Sequence, residues 1–293
     1  MKRNLSWFAA PYAVWMALFV VIPILIMVVY AFTTAESSGT LENFTGMGVY
    51  ASVFVRSFRL ALVATLICLL IGYPVSYLMA QEGPSFQRLA MAFIMLPMWM
   101  NFLLRTYSWM SILENNGLLN QFFRNTGLID LFNRIAVRFA ENPAEYVQID
   151  HFAMMGTSGA VVLGMVYNYL PFMILPVYSV IVKLDRQYIE AARDLGANSA
   201  QVFRKVILPL SLPGVLSGVT MVFVPSVSTF AISRLLGGGT NMMLGDLIEQ
   251  QFLGGAYNPH LGAAIAMVMM IVVVVCMVVM NHFGEGEDEV VIL

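Results

Sequence analysis

The side chains able to do chemistry in this sequence are few and scattered. His151, His260 and His282 stand apart from one another and from Cys68 and Cys276, so no zinc-cluster spacing exists and no metal is expected. Both cysteines lie inside apolar runs and read as small core residues. There is no Ser–His pair at useful spacing, no H-E-x-x-H and no paired intramembrane aspartate, which argues against an intramembrane enzyme. Lys2, Lys183 and Lys205 follow Met, Val and Arg. A P-loop needs its lysine after glycine, so the chain has no such cradle for ATP phosphates. The sequence reads as a non-enzyme without a cofactor of its own.

The elements that must carry these residues are apolar. Of 293 residues, 59% are hydrophobic and 11% charged, against roughly 25% charged in soluble domains. A net charge of -2 leaves no basic field for nucleic acid. About 20 apolar residues cross a bilayer as a helix, and six runs qualify: 8–32, 60–81, 89–113, 153–182, 207–233 and 261–281. Open backbone cannot face lipid, so each is expected to be helical. The fold class is an all-α, polytopic membrane protein, one transmembrane domain over 1–293. The first run follows Lys2 and Arg3, is too long for a cleaved signal segment, and reads as a retained anchor.

Cations set the orientation. All three lysines fall at the N-terminus or in the loop after the fourth span, which also holds Arg186, Arg193 and Arg204. The positive-inside rule then makes both termini and that loop cytoplasmic. Arg56, Arg59, Arg124, Arg134, Arg138 and Arg234 fall on the other side, three of them in the long loop 114–151. Leu118, Leu119, Phe122 and Phe123, then Leu128, Ile129, Leu131 and Phe132, give that loop helical spacing, expected as short helices on the outer face.

The cytoplasmic loop 183–206 carries the most information. Asp185 can cap a helix running to Leu195, and Gly196 can end it. Asn198 with Gln201 forms a second capping pair, opening a helix that enters the fifth span. Tyr188, Ala191, Ala192 and Leu195 share one face of the first helix. Such a face lies on lipid or docks a partner protein.

Glu190-Ala191-Ala192, Gly196 six positions after the glutamate, and Val206-Ile207-Leu208-Pro209 resemble the EAA loop of ABC importer permeases. Val206 replaces the usual Ile. The resemblance implies the six-helix fold of methionine-importer-like permeases and a loop, including Asp194, that inserts into a cleft on an ATPase. It also implies partners: a second homologous permease, two ATP-binding subunits that hold ATP and Mg, and an extracytoplasmic substrate-binding protein, assembled in a bacterial inner membrane. Further stretches are similar to the membrane subunits of spermidine/putrescine importers: Gly72-Tyr73-Pro74, Arg105 to Trp109, Asn116-Gly117, Tyr167 with Leu170 to Met173, and Leu235 to Gly238. Permeases for iron, sulfate and other solutes share the EAA loop and are the alternative.

No carboxylate falls within the six runs, so proton or sodium coupling by this chain is not expected. A polycation would instead meet aromatic faces. Tyr77, Trp99, Tyr107, Trp109, Tyr167, Tyr169, Phe223 and Phe230 are the candidates, although most such rings pack helices or anchor interfaces. Glu114, Asp246 and Glu249 are placed at the outer mouth. Arg105, the one charge inside a run, either snorkels toward Glu114 or pairs with a loop carboxylate or backbone carbonyl to hold an outer gate. Pro209, Pro213, Gly214, Gly218 and Pro225 mark the fifth span as kinked, with the gate expected around Phe223 to Phe230.

Overall fold

The computed structural model describes residues 6–34, 36–37, 39–139 and 147–285, with side chains among them from 11 to 280. Lys2 and Arg3, Glu287, Asp288 and Glu289 and part of the external loop lie outside those described, as do the side chains of His282 and Glu285.

Every regular element among the described residues is helical. We number them α1 (Pro11–Ala31) and α2 (Glu42–Gln81), then α3 (Pro84–Trp99), α4 (Phe102–Leu113), α5 (Leu118–Asn125) and α6 (Leu128–Phe139). There follow α7 (Ser158–Ile181), α8 (Arg186–Asp194) and α9 (Ser199–Ser228). Last come α10 (Ala231–Leu236), α11 (Leu244–Leu253) and α12 (Pro259–Glu285). Five are long and apolar enough to cross a membrane: α1, α2, α7, α9 and α12 up to Met280.

The sixth is broken, which corrects the continuous helix expected over 89–113. The chain bends by 91° between Trp99 and Phe102. Met100 and Asn101 are extended, with ψ of 147° and 129°. Asn101 Oδ1 accepts from the amides of Leu103 and Leu104 at 2.9 and 3.3 Å. A capped new start after an extended pair is a second helix, not a kink. Counting residues between charges cannot see that cap.

Two further boundaries shift. α2 starts well before Leu60, because Arg56 and Arg59 end the apolar run without ending the helix; Arg56 Nη1 donates to the Thr240 carbonyl at 2.9 Å. The fifth span reaches back to Ser199 and stops at Ser228, where Thr229 turns extended with ψ of 140°. Ala231–Leu236 is a separate helix.

Both wide π turns precede a proline by the same interval. One covers Ala17–Val21 before Pro23, the other Phe203–Ile207 before Pro209. A proline ring clashes with the carbonyl four residues back and donates no hydrogen bond to it. Carbonyls 19 and 205 fall at the centre of each wide turn, which makes the room the ring needs.

The centre of the fold is α2, α7 and α9 packed against one another, with α1 against α12 and α11 against α12 to one side. Met173 on α7 is fully buried between the other two. A Cβ on Gly72 would stand 2.9 Å from Met173 Cγ, and one on Gly218 would stand 2.8 Å from its sulfur. Without a hydrophobic drive between helices in lipid, such small-residue contacts supply the packing.

Candidate functional site: a cytoplasmic loop and the paths around it

The loop after α7 folds as its sequence dictates. Asp185 accepts from the Gln187 amide at 3.0 Å and starts α8. The helix ends at Asp194, and Gly196 takes φ of +83°, a left-handed conformation open to glycine at no steric cost. Asn198 and Gln201 then cap reciprocally at 2.9 Å each and open α9. The outcome is two helices meeting at a glycine, as the capping residues require.

Its outward face is open among the described residues. Tyr188 and Ala191 are exposed, Leu195 is 90% exposed, and Ala192 is half-buried. Glu190, Asp194 and Gly196 are exposed as well, while Leu208 and Pro209 lie within α9, just after its π turn. A 90% exposed leucine at a fixed turn is an apolar knob presented outward.

The loop is tied to the membrane core by aromatic contacts that sequence reading missed. Phe203, in the π turn at the start of α9, meets Tyr73 and Tyr77 of α2 edge-on, with ring centres 5.8 and 5.2 Å apart. Tyr73 Oη and Ser211 Oγ share a buried hydrogen bond of 2.8 Å. Phe203 thereby packs the start of α9 against α2 of the central core. Gly72-Tyr73-Pro74 was the available signal, but nothing in its spacing names Phe203 as the partner.

The eight candidate aromatics do not line one channel in this chain. Tyr77 belongs to the Phe203 cluster. Trp109 packs edge-on to Tyr167 at 5.3 Å, and Tyr169 Oη donates to the Pro225 carbonyl at 3.4 Å. Phe223 lies 6.1 Å from Phe58, tilted, on another side of the fold. Trp99 is 82% exposed, and Tyr107 and Phe230 are exposed too. Trp99 and Phe230 flank the two chain breaks, before α4 and before α10, and Tyr107 lies within α4.

Arg105 does not snorkel. It is buried, 8% exposed, and its Nη1 donates to the Pro97 carbonyl at 2.5 Å, across the bend between α3 and α4. Its guanidinium carbon sits 5.8 Å from the Tyr167 ring centre. A backbone carbonyl is the partner, and the Tyr167 face expected to meet a substrate cation already holds this one.

The three carboxylates assigned to the outer mouth separate. Glu114 caps the end of α4 and is exposed. Asp246 and Glu249 stand one turn apart on α11 beside a cavity of about 80 Å³ that Arg234 also lines. Arg234 Nη1 bridges both Glu249 oxygens at 2.9 and 3.0 Å. Asp246 is buried, not freely exposed as a mouth carboxylate would be. Burial raises its pKa above the ordinary aspartate range, against the opposing pull of Ser233, the Met243 amide and Arg234.

These features define a membrane-embedded helical subunit with an exposed, capped loop, and the chain belongs to the family described as the binding-protein-dependent transport system inner membrane component, whose model matches residues 72–284. It is similar to the spermidine/putrescine transport system permease protein PotB of Haemophilus influenzae, 38% identical over 247 residues, 82% of this chain and 80% of that one. PotB of Escherichia coli is 36% identical over 266 residues, covering 88% and 90%. Among solved structures, a bacterial ABC transporter importing the acidic polysaccharide alginate matches with a TM-score of 0.72 at 17% identity, covering 97% and 96%. The MetNI methionine ABC transporter matches with a TM-score of 0.53 at 20% identity, covering 82% and 95%. Both structural likenesses concern the fold.

Proposed function

We propose that this chain is one of two permease subunits enclosing the path of an ATP-driven polyamine importer, and that its loop 183–206 transmits ATPase motion to the spans. The observation that carries the coupling role is the loop itself: α8 capped by Asp185, stopped by Gly196, and presenting Tyr188, Ala191 and Leu195 outward. A surface fixed by caps and left apolar is built to seat in a complementary cleft. The polyamine substrate is supported by identity to permeases named for spermidine and putrescine over more than four-fifths of the chain. Lys2 at the N-terminus, with Lys183 and Lys205 in this loop, supports a cytoplasmic side for it.

The partners follow from that role. The chain lacks a P-loop, so ATP and Mg are held by two ATP-binding subunits, and an extracytoplasmic binding protein delivers substrate. Its own spans hold too few helices to enclose a path, and a second permease completes it. The exposed rings Trp99, Tyr107 and Phe230 are placed to meet that second subunit or the path between the two.

Crosslinking from a cysteine at Ala192 tests the coupling role. It should capture the ATPase subunit in the assembled complex, and capture of lipid alone would remove the docking claim.

A further inference from the structure

We propose that the cavity between α10 and α11 is a binding subsite for one primary ammonium group of the substrate, held by Asp246 and Glu249. This deepens the polyamine reading and rests on it. The site is built, not a chance cluster. Asp246 is 5% exposed; its Oδ2 accepts from the Met243 amide at 2.9 Å, while its Oδ1 is buried with no hydrogen bond within 3.5 Å, because the nearby Ser233 hydroxyl donates to the Phe230 carbonyl at 3.0 Å instead. A carboxylate kept only to cap a helix has both oxygens satisfied or in water, because an unpartnered buried acceptor is costly. Here the orphan belongs to a residue lining a cavity of about 80 Å³. That is room for a primary ammonium and its first methylenes, at about 30 Å³ for each water-sized group.

Charge agrees with the volume. The charged side chains on the cavity are Asp246, Glu249 and Arg234, a net charge of one negative with both carboxylates ionised. One ammonium balances it. Arg234 Nη1 is bound to both Glu249 oxygens, yet its side chain is 66% exposed against 25% for Glu249. The arginine can therefore swing to water and give up Glu249 while the carboxylate stays. An ammonium has three donors and no acceptor. Asp246 Oδ1, the Glu249 carboxylate and the Ser233 hydroxyl supply the acceptors on the cavity wall.

Two substitutions at Asp246 separate ammonium binding from helix capping. Asn keeps an oxygen for the Met243 amide and removes the charge, whereas Glu keeps the charge and misplaces the cap. In the complete transporter in proteoliposomes, Asp246→Asn should lower spermidine import about tenfold or more, and Asp246→Glu should retain most of it. Wild-type import by Asp246→Asn, or the reverse ranking, would overturn the inference. Spermidine at millimolar concentration should also raise the melting temperature of the solubilised wild-type and Asp246→Glu complexes but not of Asp246→Asn. Equal shifts in all three, or an equal shift with sodium chloride, would overturn it as well. Lack of spermidine import by the wild type would instead remove the substrate reading, and the melting shifts would still decide whether the cavity takes an ammonium.

Discussion

Arg105 reaches back over a 91° bend to hold the carbonyl of Pro97, eight residues earlier, at 2.5 Å. The last carbonyls of a helix lack donors further along the helix; that of Pro97 accepts from the Met100 amide at 3.3 Å and from this cation as well. The bend is thereby pinned from within.

Arg105→Gln removes the charged donor and the contact with Tyr167. A hydrogen bond to a charged group contributes about 1.5–3 kcal/mol, so the bent state should lose roughly 10- to 100-fold in weight. The measurements are melting temperature and substrate uptake of the assembled complex. Wild-type values for both would show that the tie is idle.

At Gly196, space and backbone act separately. Nothing lies within 4 Å of an added Cβ, yet φ is +83°. Gly196→Ala should therefore cost only the left-handed strain, about 1–2 kcal/mol, and leave partial transport. Gly196→Pro cannot reach that φ and should abolish transport while insertion persists. Membrane-fraction blotting beside uptake checks both.

Met173 gives an ordered pair. The Gly72 contact is with a flexible side chain, whereas a Cβ on Gly218 also meets the Met173 carbonyl at 3.2 Å. Gly218→Val should destabilise by about 1–3 kcal/mol, and Gly72→Ala by less. Melting of the solubilised complex reads the order, and equal effects would count against the packing described.

Acid should inhibit import through Asp246. Burial raises its pKa, so it loses its charge at a higher pH than an exposed aspartate does. Arg234 and Glu249 are the charged groups facing it across the cavity. Uptake should fall as the outer pH drops, and Asp246→Asn should be low and flat. The linkage sign is that of a raised pKa: the folded state favours the protonated acid, and that stability is lost as pH rises through the raised value. Asp246→Asn should then melt no lower than wild type at neutral pH.

Much of the loop 183–206 was legible because capping is local chemistry. Asp185, Gly196, Asn198 and Gln201 each act within three residues of their partners, and the helices begin and end where those residues direct. The broken third span was harder. Asn101 was readable as a cap, but an apolar run interrupted only by Arg105 hid the need for one. Phe203 against Tyr73 depends on how helices distant in sequence meet, and Asp246 near Arg234 on how the consecutive α10 and α11 fold back on each other. Periodicity reports which face is apolar and not what lies opposite. The scattering of the candidate aromatics has the same cause: eight rings of suitable type occupy several sides of the fold.

The most direct test of the whole account is ATP-dependent import by the reconstituted transporter: this chain, the second permease, the ATPase and the binding protein. Labelled spermidine should accumulate inside proteoliposomes only when all four and ATP are present, and the purified chain alone should hydrolyse no ATP. Accumulation without the ATPase, ATP turnover by the isolated chain, or import of a different solute with spermidine excluded would contradict it.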